Sequence, residues 1–131
     1  MIDRTRATVL LVDDNQLNLE LASDVLEAAG YTVRQVGSAE DALQAVQAER
    51  PDLILMDIGL PGMDGHAAVR MLKADASTRS IPVIALTAYA MSGDEQLARD
   101  SGFDAYITKP IQTRTLAGTV ARLLSEPRRP V

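Results

Sequence analysis

Apolar residues in this chain gather into short continuous runs, and between those runs they thin out to a helical period. Thr8–Val12 (TVLLV) and Leu53–Met56 (LILM) are unbroken, and Pro82–Thr87 (PVIALT) stays apolar until a hydroxyl at its end. Runs of this kind and length belong to strands buried on both faces, not to strands with one wet side. Tyr31–Val36 and Ala105–Thr108 are shorter strand candidates. Between the first two runs, Leu19, Ala22, Val25, Leu26 and Ala29 recur at helical spacing. Asn15 suits the N-cap of that helix and Gly30 its C′ stop. Ser38 opens a second helix, with Asp41 three residues on as a weak capping box and Ala42, Leu43 and Val46 as its stripe. That helix breaks before Pro51. Met63-Asp64-Gly65 leads into a third helix carrying Ala68, Val69 and Leu72. Ser92 and Glu95 form a capping box for a fourth, closing at Gly102, and Leu116, Val120, Leu123 and Leu124 mark the last.

Strand and helix thus alternate five times, the pattern of an α/β domain whose parallel sheet carries helices on both faces. Right-handed crossovers make such a (βα)5 chain doubly wound, and the expected five-stranded order is 2-1-3-4-5, flavodoxin-like. The expected unit runs over residues 8–125, with tails at 1–7 and 126–131. There is no repeat, linker or low-complexity tract, and 131 residues suit one domain with a core of its own.

Composition narrows the function. The net charge of −5 disfavours nucleic acid as a direct partner, because phosphate binding wants a basic face. With no cysteine, disulfides, thiolate chemistry and Cys-ligated zinc are excluded. No apolar run approaches the ~20 residues of a membrane span, and Met1-Ile2-Asp3-Arg4 does not open a signal peptide. A soluble cytoplasmic domain is therefore expected. With no Trp and one Phe the core must be aliphatic. His66, the only histidine, stands at a helix start on the loop side and is read as solvated, without a role.

The chemistry centres on PDLILMDIGLPGMDG, Pro51 to Gly65, where an acid interrupts an apolar strand. Burying a carboxylate costs several kcal/mol without compensation, a cost that falls at a strand end. In open α/β sheets, sites lie beyond the carboxyl ends of the strands at the switch in strand order. The residues at those ends are Asp13 and Asp14, Asp57, Thr87 and Lys109. Each has an ordinary reading alone: acids near a helix N-terminus, a strand-end threonine, a surface lysine. Together they place three carboxylates around one crevice, flanked by a hydroxyl and an ammonium. Oxygen-only, carboxylate-rich sites at a solvent-facing crevice suit Mg²⁺, which keeps several waters and leaves room for phosphate oxygens. The cation and Lys109 balance the three acids. An acyl phosphate on Asp57 would add about one further negative charge at neutral pH. Such a site can accept a phosphoryl group.

These residues resemble the receiver domains of two-component response regulators, the family of the chemotaxis protein CheY. The resemblance rests on Asp13-Asp14, on Asp57 within LILMDIGLPGMDG, on Thr87-Ala88, on Tyr106 and on Lys109-Pro110, and so spans almost the whole chain. DDNQLN, LTAYAMSGDE and AYITKPI are most similar to single-domain regulators of the DivK type and to the receivers of hybrid histidine kinases. The resemblance implies that Asp57 takes phosphate from a histidine kinase or phosphotransfer protein. It implies Mg²⁺ held by the side chains of Asp14 and Asp57, by the Gly59 carbonyl and, through water, by Asp13. Thr87 would hydrogen-bond the phosphoryl group, Lys109 pair with it, and Pro110 follow a cis peptide bond that aims Lys109 inward. Tyr106 would be the switch that turns inward with Thr87. Such a domain catalyses only its own phosphorylation and slow dephosphorylation, and is otherwise no enzyme.

Two positions depart from the commonest pattern of that family. Gly59 offers no side chain to orient an attacking water, and Tyr89 is bulky enough to shield an acyl phosphate. Slow self-dephosphorylation is expected. With no output domain after Leu124, signalling would pass by protein contact through residues 92–124 to a downstream protein. A receiver excised from a hybrid histidine kinase is the alternative, and a receiver-shaped scaffold that is never phosphorylated conflicts with the intact set of site residues. A haloacid-dehalogenase-like aspartyl-phosphate phosphatase would want a second Asp two residues after the first, where Gly59 stands, and a cap domain that 131 residues do not accommodate. A flavin-binding module would want a Ser/Thr/Gly-rich phosphate loop after the first strand, where Asp13-Asp14-Asn15 would repel one. No Walker or dinucleotide glycine pattern occurs.

Overall fold

Five strands pair in parallel in the order β2-β1-β3-β4-β5 in the computed structural model, which describes residues 7–58, 65–87, 100–108 and 112–125. Among the described residues the elements run β1 (Thr8–Val12), α1 (Gln16–Ala28), β2 (Thr32–Val36), α2 (Ala39–Ala48) and β3 (Leu53–Asp57). There follow α3 (Gly65–Ala74), β4 (Val83–Thr87), β5 (Ala105–Thr108) and a helix named α4 here (Thr113–Ser125). The topology is the expected one. Of the helix expected from Ser92 only the end is described, helical at Asp100 and Ser101 and turning at Gly102.

Burial follows strand order. In β3 and β4 every residue is buried, and in β1 all but Thr8. The two edge strands are only partly buried. This is why the central strands read as continuous apolar runs while β2 carries Arg34 and Gln35. Alternate side chains feed two cores. Val9, Leu11, Leu53, Leu55, Ile84 and Leu86 meet α1 and α4 through residues such as Leu26 and Val120. Leu10, Val12, Ile54, Met56, Val83 and Ala85 meet α2 and α3 through Val46, Val69 and Leu72. Both cores are aliphatic apart from Phe103 and the partly buried Tyr31 and Tyr106.

The helix ends behave as their sequence dictates. Asn15 Oδ1 accepts from the Asn18 N–H at 3.1 Å, and Ser38 Oγ accepts from the Asp41 N–H at 3.1 Å. Helix α1 closes in a Schellman motif: the Gly30 N–H donates to the Glu27 carbonyl at 2.9 Å and the Tyr31 N–H to the Leu26 carbonyl at 3.0 Å. Gly30 has φ 100°, which a side chain would oppose. Tyr31 is committed to this cap, so β2 starts one residue later than the apolar pattern proposes. Pro82 likewise falls outside β4, offering only its carbonyl, which accepts from the Ile54 N–H at 3.0 Å.

Candidate functional site

The carboxyl ends of β1 and β3 lie side by side, with Val12 registered against Met56. Asp13 therefore leaves the sheet level with Asp57, which is the last residue of β3 and registered against Leu86 of β4. The backbone holds both ends in place. The Asp13 N–H donates to the Val36 carbonyl at 3.2 Å, and the Ile58 N–H donates to the Leu86 carbonyl at 3.0 Å. Asp13 is 3% exposed and Asp57 6%, while Asp14 faces solvent. Asp13 Oδ1 accepts from the Asn15 N–H at 2.9 Å, a turn that couples the acidic pair to the N-cap of α1.

One carboxylate oxygen each from Asp13, Asp14 and Asp57 lie within 4.8 Å of one another. At an effective dielectric of about 20, two unit charges at such a separation repel by about 3–4 kcal/mol. A divalent cation removes that repulsion. The donor set fits Mg²⁺: it is made of oxygen alone, two members are buried on a rigid sheet, and the third opens to water. Away from the crevice, the Ser77 N–H at 2.9 Å, aided by the Ser77 hydroxyl at 2.8 Å, holds the Asp75 carboxyl below its ordinary range.

Thr87 ends β4, is 2% exposed and registers against Thr108, one position beyond the level of Asp57. Tyr106 registers against Ala85 and packs, partly buried, on the core that includes Phe103. Sequence reasoning therefore places five residues at this end of the sheet, and the fold brings Asp13, Asp14 and Asp57 together with Thr87 on the adjoining strand. Gly59, Tyr89, Lys109 and Pro110 lie outside the described residues, as do Ser92 and Glu95.

Residues 9–121 match the response regulator receiver domain family. The chain belongs to that family. The polar-differentiation response regulator DivK of Brucella anthropi is 44% identical over 119 residues, which cover 91% of this chain and 97% of that protein. Among solved structures, a Chloroflexus aurantiacus chain assigned as a response regulator superposes with a TM-score of 0.89 at 31% identity, covering 92% of this chain and 99% of that one. The receiver domain of a Pseudomonas aeruginosa sensor histidine kinase superposes with a TM-score of 0.85 at 34% identity, covering 92% and 99%; it was solved with a magnesium ion coordinated in its active-site cleft. This chain is thus a receiver of the DivK-like kind, a signalling domain. Among its described residues no helix is long and apolar enough to cross a membrane.

One expectation is overturned within the receiver. His66 is not solvated but 8% exposed, with its Nδ1 sharing a 2.8 Å hydrogen bond with Ser101 Oγ and its ring edge-on to Phe103 at 5.7 Å. The signal was present. His66 lies three residues before Val69, so the buried stripe of α3 extends through it. Polarity and loop proximity argued the other way, and a hydroxyl thirty-five positions later in the chain is what makes its burial affordable.

Proposed function

We propose that this receiver accepts a phosphoryl group on Asp57 from a phosphohistidine and signals through the resulting change in its protein contacts. The observation that carries the proposal is the meeting of Asp13, Asp14 and Asp57 within 4.8 Å at the switch point of the sheet, with one of them a buried strand terminus. An Asp57 carboxylate oxygen attacks phosphorus, the phosphorus–nitrogen bond of the donor breaks, and the imidazole leaves with the bonding pair. Asp13, Asp14 and Asp57, with the Gly59 carbonyl, would hold Mg²⁺, which when bound supplies charge neutralisation for the incoming phosphoryl oxygens. Thr87 would donate its hydroxyl to a phosphoryl oxygen, and Lys109, aimed by Pro110, would pair with another.

A hydrogen bond to a charged group is worth about 1.5–3 kcal/mol. Moving a two-state equilibrium from 1:99 to 99:1 takes about 5.5 kcal/mol. Thr87 therefore shares the work with Lys109, the cation and the bound partner, with Tyr106 as the reporting side chain. The donor must bring its imidazole to Asp57, so its carrier covers the rim of the crevice. Leu17, 75% exposed, and Leu21, 40% exposed, form an apolar strip on α1 beside Asp14 that suits a helical histidine kinase or phosphotransfer protein. Output would pass through residues 92–124 to a downstream protein. The receiver unit is taken as residues 8–125, with tails at 1–7 and 126–131, in a cytoplasmic setting. A receiver that forms one module of a histidine kinase would use the same chemistry, but the match over 97% of DivK supports the single-domain reading.

Acetyl phosphate or beryllofluoride with Mg²⁺, applied to the wild type and to Asp57→Asn, tests the proposal. Intact mass and amide shifts should respond in the wild type and not in the variant, and a response that persists in Asp57→Asn overturns it.

A further inference from the structure

Helix α3 begins against the backbone that carries Asp57. A Cβ on Gly65 would stand 3.1 Å from Ile58 Cα and 3.2 Å from the Asp57 carbonyl oxygen, so the helix and that backbone are in direct contact. The next residue is His66. Its hydrogen bond to Ser101 and its edge-on contact with Phe103 reach across to the segment that enters β5. Further along α3, Arg70 Nη2 donates to the same Ser101 hydroxyl at 3.4 Å, and Lys73 Nζ donates to Asp104 Oδ2 at 2.9 Å. Residues 66, 70 and 73 follow the i, i+4, i+7 spacing of one helix face. That face grips Ser101 to Asp104, immediately before the strand that carries Tyr106. Asp104 Oδ2 in turn accepts from the Val83 N–H at 2.8 Å, fixing the segment to β4.

We propose that His66 is a positioning residue tying the backbone beside Asp57 to Ser101, which makes α3 a route from the phosphoacceptor to β5 separate from Thr87. The inference rests on Asp57 being the phosphoacceptor. Displacement of the Asp57–Ile58 backbone presses on Gly65, and the first turn of α3 has little freedom to absorb it, because Gly65, His66, Ala68 and Val69 are all buried. The shift reaches Ser101 through the shared hydrogen bond and Phe103 through the ring contact. Phe103 and Tyr106 pack on the same core, so the two routes converge there.

The test is titration of Mg²⁺ and beryllofluoride into the wild type, His66→Ala, His66→Asn and Ser101→Ala, read by amide shifts. In the wild type, shifts appear around Asp13, Asp14 and Asp57 and also at Gly102 and Phe103. In His66→Ala and Ser101→Ala the changes around Asp57 persist, while those at Gly102 and Phe103 shrink by about twofold or more, a change within reach of one ordinary hydrogen bond. His66→Asn keeps a hydrogen-bonding atom near the Nδ1 position and restores them. A merely structural His66 would lower the melting temperature and leave the ligand-dependent shifts intact, which overturns the inference, as does a wild type that binds without moving Gly102 and Phe103. Should His66→Ala not fold, Ser101→Ala decides. A wild type with no response around Asp57 withdraws the phosphoacceptor reading first, and this inference with it.

Discussion

Gly59, two residues past Asp57, carries no side chain, and under the proposed function it offers an acyl phosphate no group to orient an attacking water. Under the same proposal the bulk of Tyr89, two residues past Thr87 in the chain, would add shielding. Phosphate should then leave mainly by reverse transfer or through an external phosphatase. Gly59→Asn is expected to shorten the lifetime of the phosphorylated protein about tenfold, the effect of orienting one reactant. The measurement is decay of label after acetyl phosphate is removed, and a wild-type lifetime of seconds at room temperature contradicts the expectation. Single residues were unequally legible. Asp57 announced itself because an acid inside LILMD has no apolar explanation. His66 did not, because a lone histidine beside a glycine looks solvated until Ser101 is brought against it.

Helix α1 links the acidic pair to the rest of the domain, and its N-cap is where the two meet. Asn15 uses its side chain to cap Asn18 and its own N–H to hold Asp13 Oδ1. Asn15→Ala removes only the first of these bonds. The expected loss is about 1 kcal/mol, or about 4 °C in melting temperature. Because the Asn15 N–H remains, labelling of Asp57 by acetyl phosphate should continue. A variant that melts like the wild type would show the cap to be idle, and one that no longer labels would show it to be part of the site. At this scale the sequence was read almost residue by residue, since caps and turn residues act on their near neighbours. Where β2 and β4 begin was missed by one position each, because Tyr31 and Pro82 are apolar yet committed to a cap and to a ring without an N–H.

At the scale of the whole molecule, the proposed donor-facing surface would join the crevice to the exposed Leu17 and Leu21 of α1. Leu17→Asp places a charge on the exposed face of α1 and leaves Asp13, Asp14 and Asp57 in place. It should slow phosphotransfer from a cognate kinase or phosphotransfer protein by at least about tenfold, the usual weight of an interface anchor. Labelling by acetyl phosphate, which needs no protein docking, should be unchanged. Equal losses in both assays would place the fault in the site and not in docking. The sequence by itself determined the alternation of strands and helices, the parallel order 2-1-3-4-5, the layering of helices on both faces, and the strand-end acids Asp13, Asp14 and Asp57. It could do so because hydrophobic period and cap chemistry are local properties, and because parallel crossovers have one allowed hand. Only the tertiary structure decided that one oxygen from each of Asp13, Asp14 and Asp57 comes within 4.8 Å. It alone also decided that Gly65 abuts the backbone of Asp57 and that His66 is buried on Ser101. Those contacts join residues more than thirty positions apart in the chain or depend on how closely two backbones approach, and no local pattern encodes either.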